Sequence, residues 1–246
     1  MSAVRSSWLL HRSNPNARLR LFCLPYAGGG ASVYRSWPGG FPAEVEVCSV
    51  QLPGRENRML EPPFTAMEPL VQALAEALHA SLDRPFALFG HSMGALIAYE
   101  LARHLRQGYG LAPQHLFVSA CHAPEIPDAK LWHNLSEQEL VAELRQIPGF
   151  PAEILAHAEL MQLLLPVIRA DAAVTETYVY RPAEPLDVPL TVFASGQDEL
   201  IPWDSVDPWR GHTRAAFELH LVEGHHLYIQ DQAPRMIRII LEKLRR

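Results

Sequence analysis

The chain has 246 residues, nearly half of them apolar, and a formal net charge of −6 at pH 7. That length suits one large domain with a sizeable core, and the acidic balance argues against nucleic-acid binding. No apolar run approaches the roughly 20 residues needed to cross a bilayer, and Met1 to Asn16 lacks the apolar core of a secretion signal.

Taken in chain order, the first predicted strand is Leu19–Leu24, a near-continuous apolar run. It leads into the turn Leu24-Pro25-Tyr26-Ala27-Gly28-Gly29-Gly30. A Gly-rich turn of this kind lets backbone N–H donors face a ligand. Phosphate is a poor fit, because neither G-x-x-x-x-G-K-[S/T] nor G-x-G-x-x-G follows. A second strand is predicted at Val45–Val50. Thr65–Leu82 reads as a helix, with Thr65 and Glu68 as a capping box and Met67, Leu70, Val71, Leu74 and Leu78 as its apolar stripe.

The strand Phe86–Phe89 runs into Gly90-His91-Ser92-Met93-Gly94, and a helix is predicted from Ala95 to about Gln107. G-x-S-x-G on a strand-to-helix turn lifts one serine oxygen into a cleft and aims a helix N-terminus at it. Ser92 is therefore the candidate nucleophile. His91 is expected to pack behind it. Leu116–Ala120 is the next strand. A long stretch without a convincing strand follows. It holds a helix capped by Ser136 and Glu139 that runs through Gln146. A Leu/Met-rich helix from Ala152 to about Leu165 comes next, which Pro166 should kink or break. We read this stretch, at about 122–187, as a helical lid inserted over the C-terminal edge of the sheet.

A serine hydroxyl needs a histidine to take its proton, and the histidine needs a carboxylate to fix its tautomer. On such a scaffold the acid follows a late strand and the histidine follows the last one. The strand Leu190–Ala194 runs into Ser195-Gly196-Gln197-Asp198-Glu199, which makes Asp198 the candidate acid. An ordinary turn or cap residue is the competing reading of Asp198, and Asp204 and Asp207 are expected to be caps. The strand Phe217–Val222 runs into Glu223-Gly224-His225-His226. Only one of the two adjacent histidines can face Ser92, and spacing does not separate them. The C-terminal helix starts near Pro234 and turns Met236, Ile237, Ile240 and Leu244 inward. Two backbone donors are needed for an oxyanion. Met93 N–H is the first and Ala27 N–H the second, with Tyr26 as the rival of Ala27. The 12 histidines are scattered without H-E-x-x-H, so no metal is expected. Cys23, Cys48 and Cys121 read as reduced thiols of a cytoplasmic protein, Cys23 and Cys48 within apolar strands. The alternation of strands and helices predicts an α/β fold, a mostly parallel, doubly wound sheet forming one domain over 1–246.

At these residues the chain resembles the type II thioesterases of the α/β-hydrolase superfamily, stand-alone editing enzymes of nonribosomal peptide and polyketide synthesis. Four blocks carry the likeness in family order: Leu24-Pro25-Tyr26-Ala27-Gly28-Gly29, Gln51-Leu52-Pro53-Gly54-Arg55-Glu56-Asn57-Arg58, Gly90-His91-Ser92-Met93-Gly94 and Gly224-His225-His226-Leu227-Tyr228-Ile229. The resemblance places the catalytic histidine at His226, although Leu227 stands where the family commonly has Phe. It also implies Asp198 as acid and donors at Ala27 and Met93. The block around Arg55 is expected to be structural, bracing the loop beside the active site. The implied substrate is an acyl, aminoacyl or peptidyl thioester on the phosphopantetheine arm of a carrier protein. No other cofactor is implied, and a monomer is expected. A small-molecule carboxylesterase or lipase with the same triad, and a non-catalytic relative that only binds a ligand, are the alternatives.

Overall fold

The structure is a computed structural model that describes residues 7–10, 13–128 and 131–245. Half of the Met1–Asn16 stretch read for a secretion signal lies outside them, as do residues 129–130 of the predicted insertion. Among the described residues seven strands form one sheet: β1 (Leu9–Leu10), β2 (Leu19–Leu24), β3 (Val45–Val50), β4 (Phe86–His91), β5 (Leu116–Ser119), β6 (Leu190–Ala194) and β7 (Phe217–Leu221). Their order is β1-β3-β2-β4-β5-β6-β7, with only β1 antiparallel to its neighbour. The order reverses at β2, which pairs with β3 on one side and β4 on the other. Open α/β sheets bind ligands at the carboxyl ends beside such a switch point. The Gly-rich turn after β2 and the serine after β4 both lie there.

Among the described residues the α-helices are α1 (Met67–Leu78), α2 (Met93–Tyr109), α3 (Glu137–Arg145), α4 (Ala152–Ala156), α5 (Ala158–Glu176) and α6 (Ala233–Leu244). Alternate strand residues feed two cores, as a period of two requires. Phe22, Leu24, Val50 and Leu88 pack against Leu70, Leu74 and Leu101 of α1 and α2. Leu21, Cys23, Phe89, Phe117 and Phe193 face Trp37 and the Met236, Ile237 and Ile240 stripe of α6. A smaller apolar cluster of Leu140, Leu144, Met161, Leu165 and Ile168 holds the α3–α5 insertion together. All three cysteines are free and buried. Among the described residues no helix is long and apolar enough to cross a membrane.

Several local expectations change. The two-residue strand β1 carries no readable pattern and is absent from the sequence reading. Thr65 and Glu68 form no capping box. The backbone stays extended through Ala66 (φ −145°, ψ 146°), so α1 starts at Met67 with no side-chain cap. The Ser136–Glu139 box does form, with both reciprocal bonds present. Pro166 lies inside α5, and the helix continues past it to Glu176. The interruption falls earlier, at His157, between α4 and α5. Burial of Met161, Leu165, Ile168 and Asp171 along one side holds α5 together across the missing proline N–H. Asp204 and Asp207 sit in the first turns of short 3-10 helices but make no side-chain cap bond.

Candidate active site

Ser92 sits between β4 and α2 with φ 54° and ψ −123°, a strained conformation for a non-glycine residue. The flanking glycines explain how the turn closes. A methyl group at Gly90 would lie 2.0 Å from the Gly94 carbonyl oxygen, and one at Gly94 would lie 2.2 Å from that of Leu24. The start of α2 is thus pressed backbone-to-backbone against the end of β2. That approach sets Gly94 against the carbonyls of Leu24 and Pro25, where the Gly-rich turn begins. As the first residue of α2, Met93 has an N–H with no intrahelical acceptor.

The turn itself is Tyr26–Gly29, closed by a 2.9 Å bond from Gly29 N–H to Tyr26 O, with Gly28 at φ +78° as a type II turn demands. Gly28 N–H donates to Asp171 Oδ2 at 2.7 Å. Neither Tyr26 N–H nor Ala27 N–H donates to another group among the described residues.

Three elements converge on the serine oxygen. His226 Nε2 lies 2.9 Å from Ser92 Oγ. His226 Nδ1 lies 3.0 and 2.9 Å from the two oxygens of Asp198. The side chains of His226 and Asp198 are 7% and 2% exposed, so the pair is shielded from water. A carboxylate only accepts, so Nδ1 carries the proton and Nε2 is free to take the one on Ser92. Asp198 Oδ1 also accepts from the N–H groups of Leu200 (2.9 Å) and Ile201 (3.1 Å). The turn-cap and acid readings of Asp198 therefore coexist. The neighbouring histidine faces away: His225 is exposed and pairs with Glu199 at 2.5 Å. His91 is fully buried and bonded to the Ser119 hydroxyl and the His226 carbonyl, both at 2.9 Å. Burial, with the nearby His226 ring adding to it, pushes its pKa down to about 3.

Asp171 is a site residue that the sequence reading misses. It projects from α5 into a buried bidentate pair with Arg55, at 2.5 and 2.8 Å. Arg55 also donates to the carbonyls of Pro53 and Gly29. Gln51 adds a further tie, accepting from Ala31 N–H and donating to Arg55 O. The 51–58 block thus clamps the Gly-rich turn to α5. The insertion reaches both banks of the cleft. A methyl group at Gly28 would lie 2.8 Å from Ile168 of α5, and one at Gly149 would lie 3.7 Å from Leu227, the residue after His226. Among the described residues no group of three or more His, Cys, Asp or Glu side chains is placed to hold a metal ion.

A hydroxyl, an imidazole and a buried carboxylate in line, in the chain order Ser, Asp, His, form the arrangement of a serine nucleophile with its base and orienting acid on an α/β sheet. The family model described as "Thioesterase domain" matches residues 19–244, and the chain belongs to that family. "Gramicidin S biosynthesis protein GrsT" of Aneurinibacillus migulanus is 43% identical over 242 residues, 98% of this chain and 94% of that protein. Among solved structures, "RedJ-Thioesterase from the Prodiginine biosynthetic pathway in Streptomyces coelicolor" superposes with a TM-score of 0.89 at 38% identity, over 94% of this chain and 92% of that one. The "type II thioesterase BorB from the borrelidin biosynthetic cluster" gives 0.88 at 36% identity, over 96% and 97%. The fold is the α/β-hydrolase fold of these thioesterases.

Proposed function

We propose that this chain is a type II thioesterase that releases acyl, aminoacyl or peptidyl groups from the phosphopantetheine arm of carrier proteins, through an acyl-Ser92 intermediate. The observation that carries the reading is the unbroken line from Ser92 Oγ through the His226 ring to Asp198, with no bond longer than 3.0 Å. The choice of a carrier-bound thioester rests on the family and on relatives named for nonribosomal peptide and polyketide pathways.

Ser92 Oγ attacks the thioester carbonyl carbon as its proton passes to His226 Nε2. The carbonyl oxygen becomes an oxyanion, held by the N–H groups of Met93 and Ala27. We assign Ala27 because it stands at the corner of the turn whose next amide is already taken by Asp171. Each such donor is worth roughly 3 kcal/mol in the transition state. The C–S bond then breaks, and the departing sulfur takes the proton from His226. Water enters and gives a proton to His226 as it attacks the acyl-serine. The free acid leaves and Ser92 regains its proton. Asp198 keeps Nδ1 protonated throughout and balances the imidazolium. The α3–α5 insertion acts as the lid. It rests on both banks of the cleft, with Ile168 and the partly buried Leu164 set against the Gly-rich turn as apolar surface for an acyl chain.

The test is a pair of parallel rate measurements on acyl-pantetheine thioesters and on the matching oxygen esters, with wild type and Ser92→Ala. The expected outcome is thioester preference and complete loss in the variant. A strong oxygen-ester preference would overturn the substrate assignment. Near-normal hydrolysis by Ser92→Ala would overturn the mechanism.

A further inference from the structure

Two adjacent residues at the end of β4 hold opposite ends of the same histidine. Ser92 meets the His226 ring, while His91 Nε2 meets the His226 main-chain carbonyl at 2.9 Å. A carbonyl only accepts, so His91 Nε2 carries a proton. The ring is buried and stays neutral down to about pH 3, which leaves Nδ1 bare. That nitrogen lies 2.9 Å from the Ser119 hydroxyl on β5, whose single proton serves either it or the Tyr228 hydroxyl. Ser119 Oγ in turn lies 2.9 Å from the hydroxyl of Tyr228, which lies 2.8 Å from the Phe193 carbonyl on β6. Tyr228 is two residues past His226, so these contacts close a ring from the histidine loop through β4 and β5 and back, with the Phe193 carbonyl of β6 as a branch.

The loop is anchored upstream of the base as well as downstream at Tyr228. Ser195 Oγ bonds Gly224 O, and Gln197 Oε1 accepts from Gly224 N–H. Gly224 itself has φ +109°, a conformation open to few other residues. At His226 the main-chain anchor is His91.

We infer that His91 is a positioning residue for the base: its Nε2–H fixes the His226 main chain, and thereby the height at which the imidazole meets Ser92. Neutrality is part of the fit. The His91 and His226 ring centroids are 5.7 Å apart, so a cation at His91 would oppose the charge that His226 gains as Ser92 attacks.

This inference rests on the serine-nucleophile reading above. Its test therefore uses fluorophosphonate labelling of Ser92, which needs no thioester. His91→Gln keeps an amide N–H where Nε2 stood. His91→Asn reaches only the Nδ1 position, toward Ser119. The expected result is that the Asn variant labels roughly tenfold or more slowly than wild type, the cost of stranding a buried acceptor. The Gln variant should label within about threefold of wild type. On an acyl-pantetheine thioester the Asn variant should lose kcat with KM unchanged. Equal rates for the Asn variant and wild type would overturn the inference, as would a Gln variant as slow as the Asn one. If Asn prevents folding, a tenfold loss in the folded Gln variant overturns it alone. Wild type that does not label at all would refute the nucleophile reading itself, and this inference with it.

Discussion

The Arg55–Asp171 pair invites a quantitative test, because both side chains are almost fully buried, at 5% and 3% exposure. Asp171→Ala strands a guanidinium without its counter-charge. Breaking a buried pair from one side costs about 3–5 kcal/mol. The Gly28 N–H loses its acceptor in the same change, at about 1–3 kcal/mol. These terms overlap, and about 4 kcal/mol is a fair total against the roughly 5–15 kcal/mol that holds a typical domain together. For a chain of this size that corresponds to a fall in Tm of roughly 8–16 °C. Asp171→Asn keeps an acceptor for Gly28 but removes the charge, so it should fall between wild type and the alanine variant. The double variant Arg55→Met/Asp171→Leu strands no charge and should be more stable than Asp171→Ala. Thermal unfolding by circular dichroism, with urea titrations for the free energies, measures all four proteins. A fall of less than about 3 °C for Asp171→Ala would refute the clamp as a main tie between the Gly-rich turn and α5. A double variant less stable than Asp171→Ala would refute the stranded-charge argument.

Three further outcomes are expected. Asp198→Asn preserves the acceptor for Leu200 and Ile201 but lets Nδ1 lose its proton, so kcat should fall about 10⁴-fold with little change in Tm; a loss under about tenfold would refute the tautomer argument. Burial depresses the pKa of His91 to about 3 and of His115 to about 4, both from 6.5. The unfolded chain takes up protons below pH 6.5 that the folded one refuses, so stability is full above that pH and declines towards pH 3–4. Each histidine removes up to about 2 kcal/mol by pH 5, and urea unfolding with equal stability at pH 7 and pH 5 would contradict it. His225→Ala should label with fluorophosphonate within roughly twofold of wild type, because its exposed pair with Glu199 is worth under about 1 kcal/mol; loss of labelling would make His225 the base.

Ser92, Asp198 and the His225–His226 pair are legible in the sequence because each obeys a local rule. Each follows an apolar strand, and a parallel sheet puts every strand end on one edge. The choice between His225 and His226 is not local. It depends on which side chain the loop turns inward, and the ties of Gly224 to Ser195 and Gln197 set that. Asp171 is harder still. Its partner is 116 residues away, and a lone aspartate between two alanines of an apolar helix reads as an exposed position. The signal that was available is that Arg55 lies in a motif with no chemical role of its own. Pro166 misleads for the opposite reason: local propensity argues for a break, while the burial on either side of it outweighs the lost hydrogen bond. Thr65 and Glu68 have capping-box spacing, but extended backbone at Ala66 moves the helix start past them.

One oxygen of Asp198 serves the imidazole and two main-chain amides together. The loop after β6 therefore needs a carboxylate or its amide there to keep its shape, whatever the chemistry requires. In a descendant that had stopped turning over substrate, selection for folding alone would go on preserving an aspartate or asparagine at that position. Among the described residues the Ser92 hydroxyl bonds to His226 alone and has no such second employment. Within this lineage, decay of activity should be written first at the serine and last at the acid.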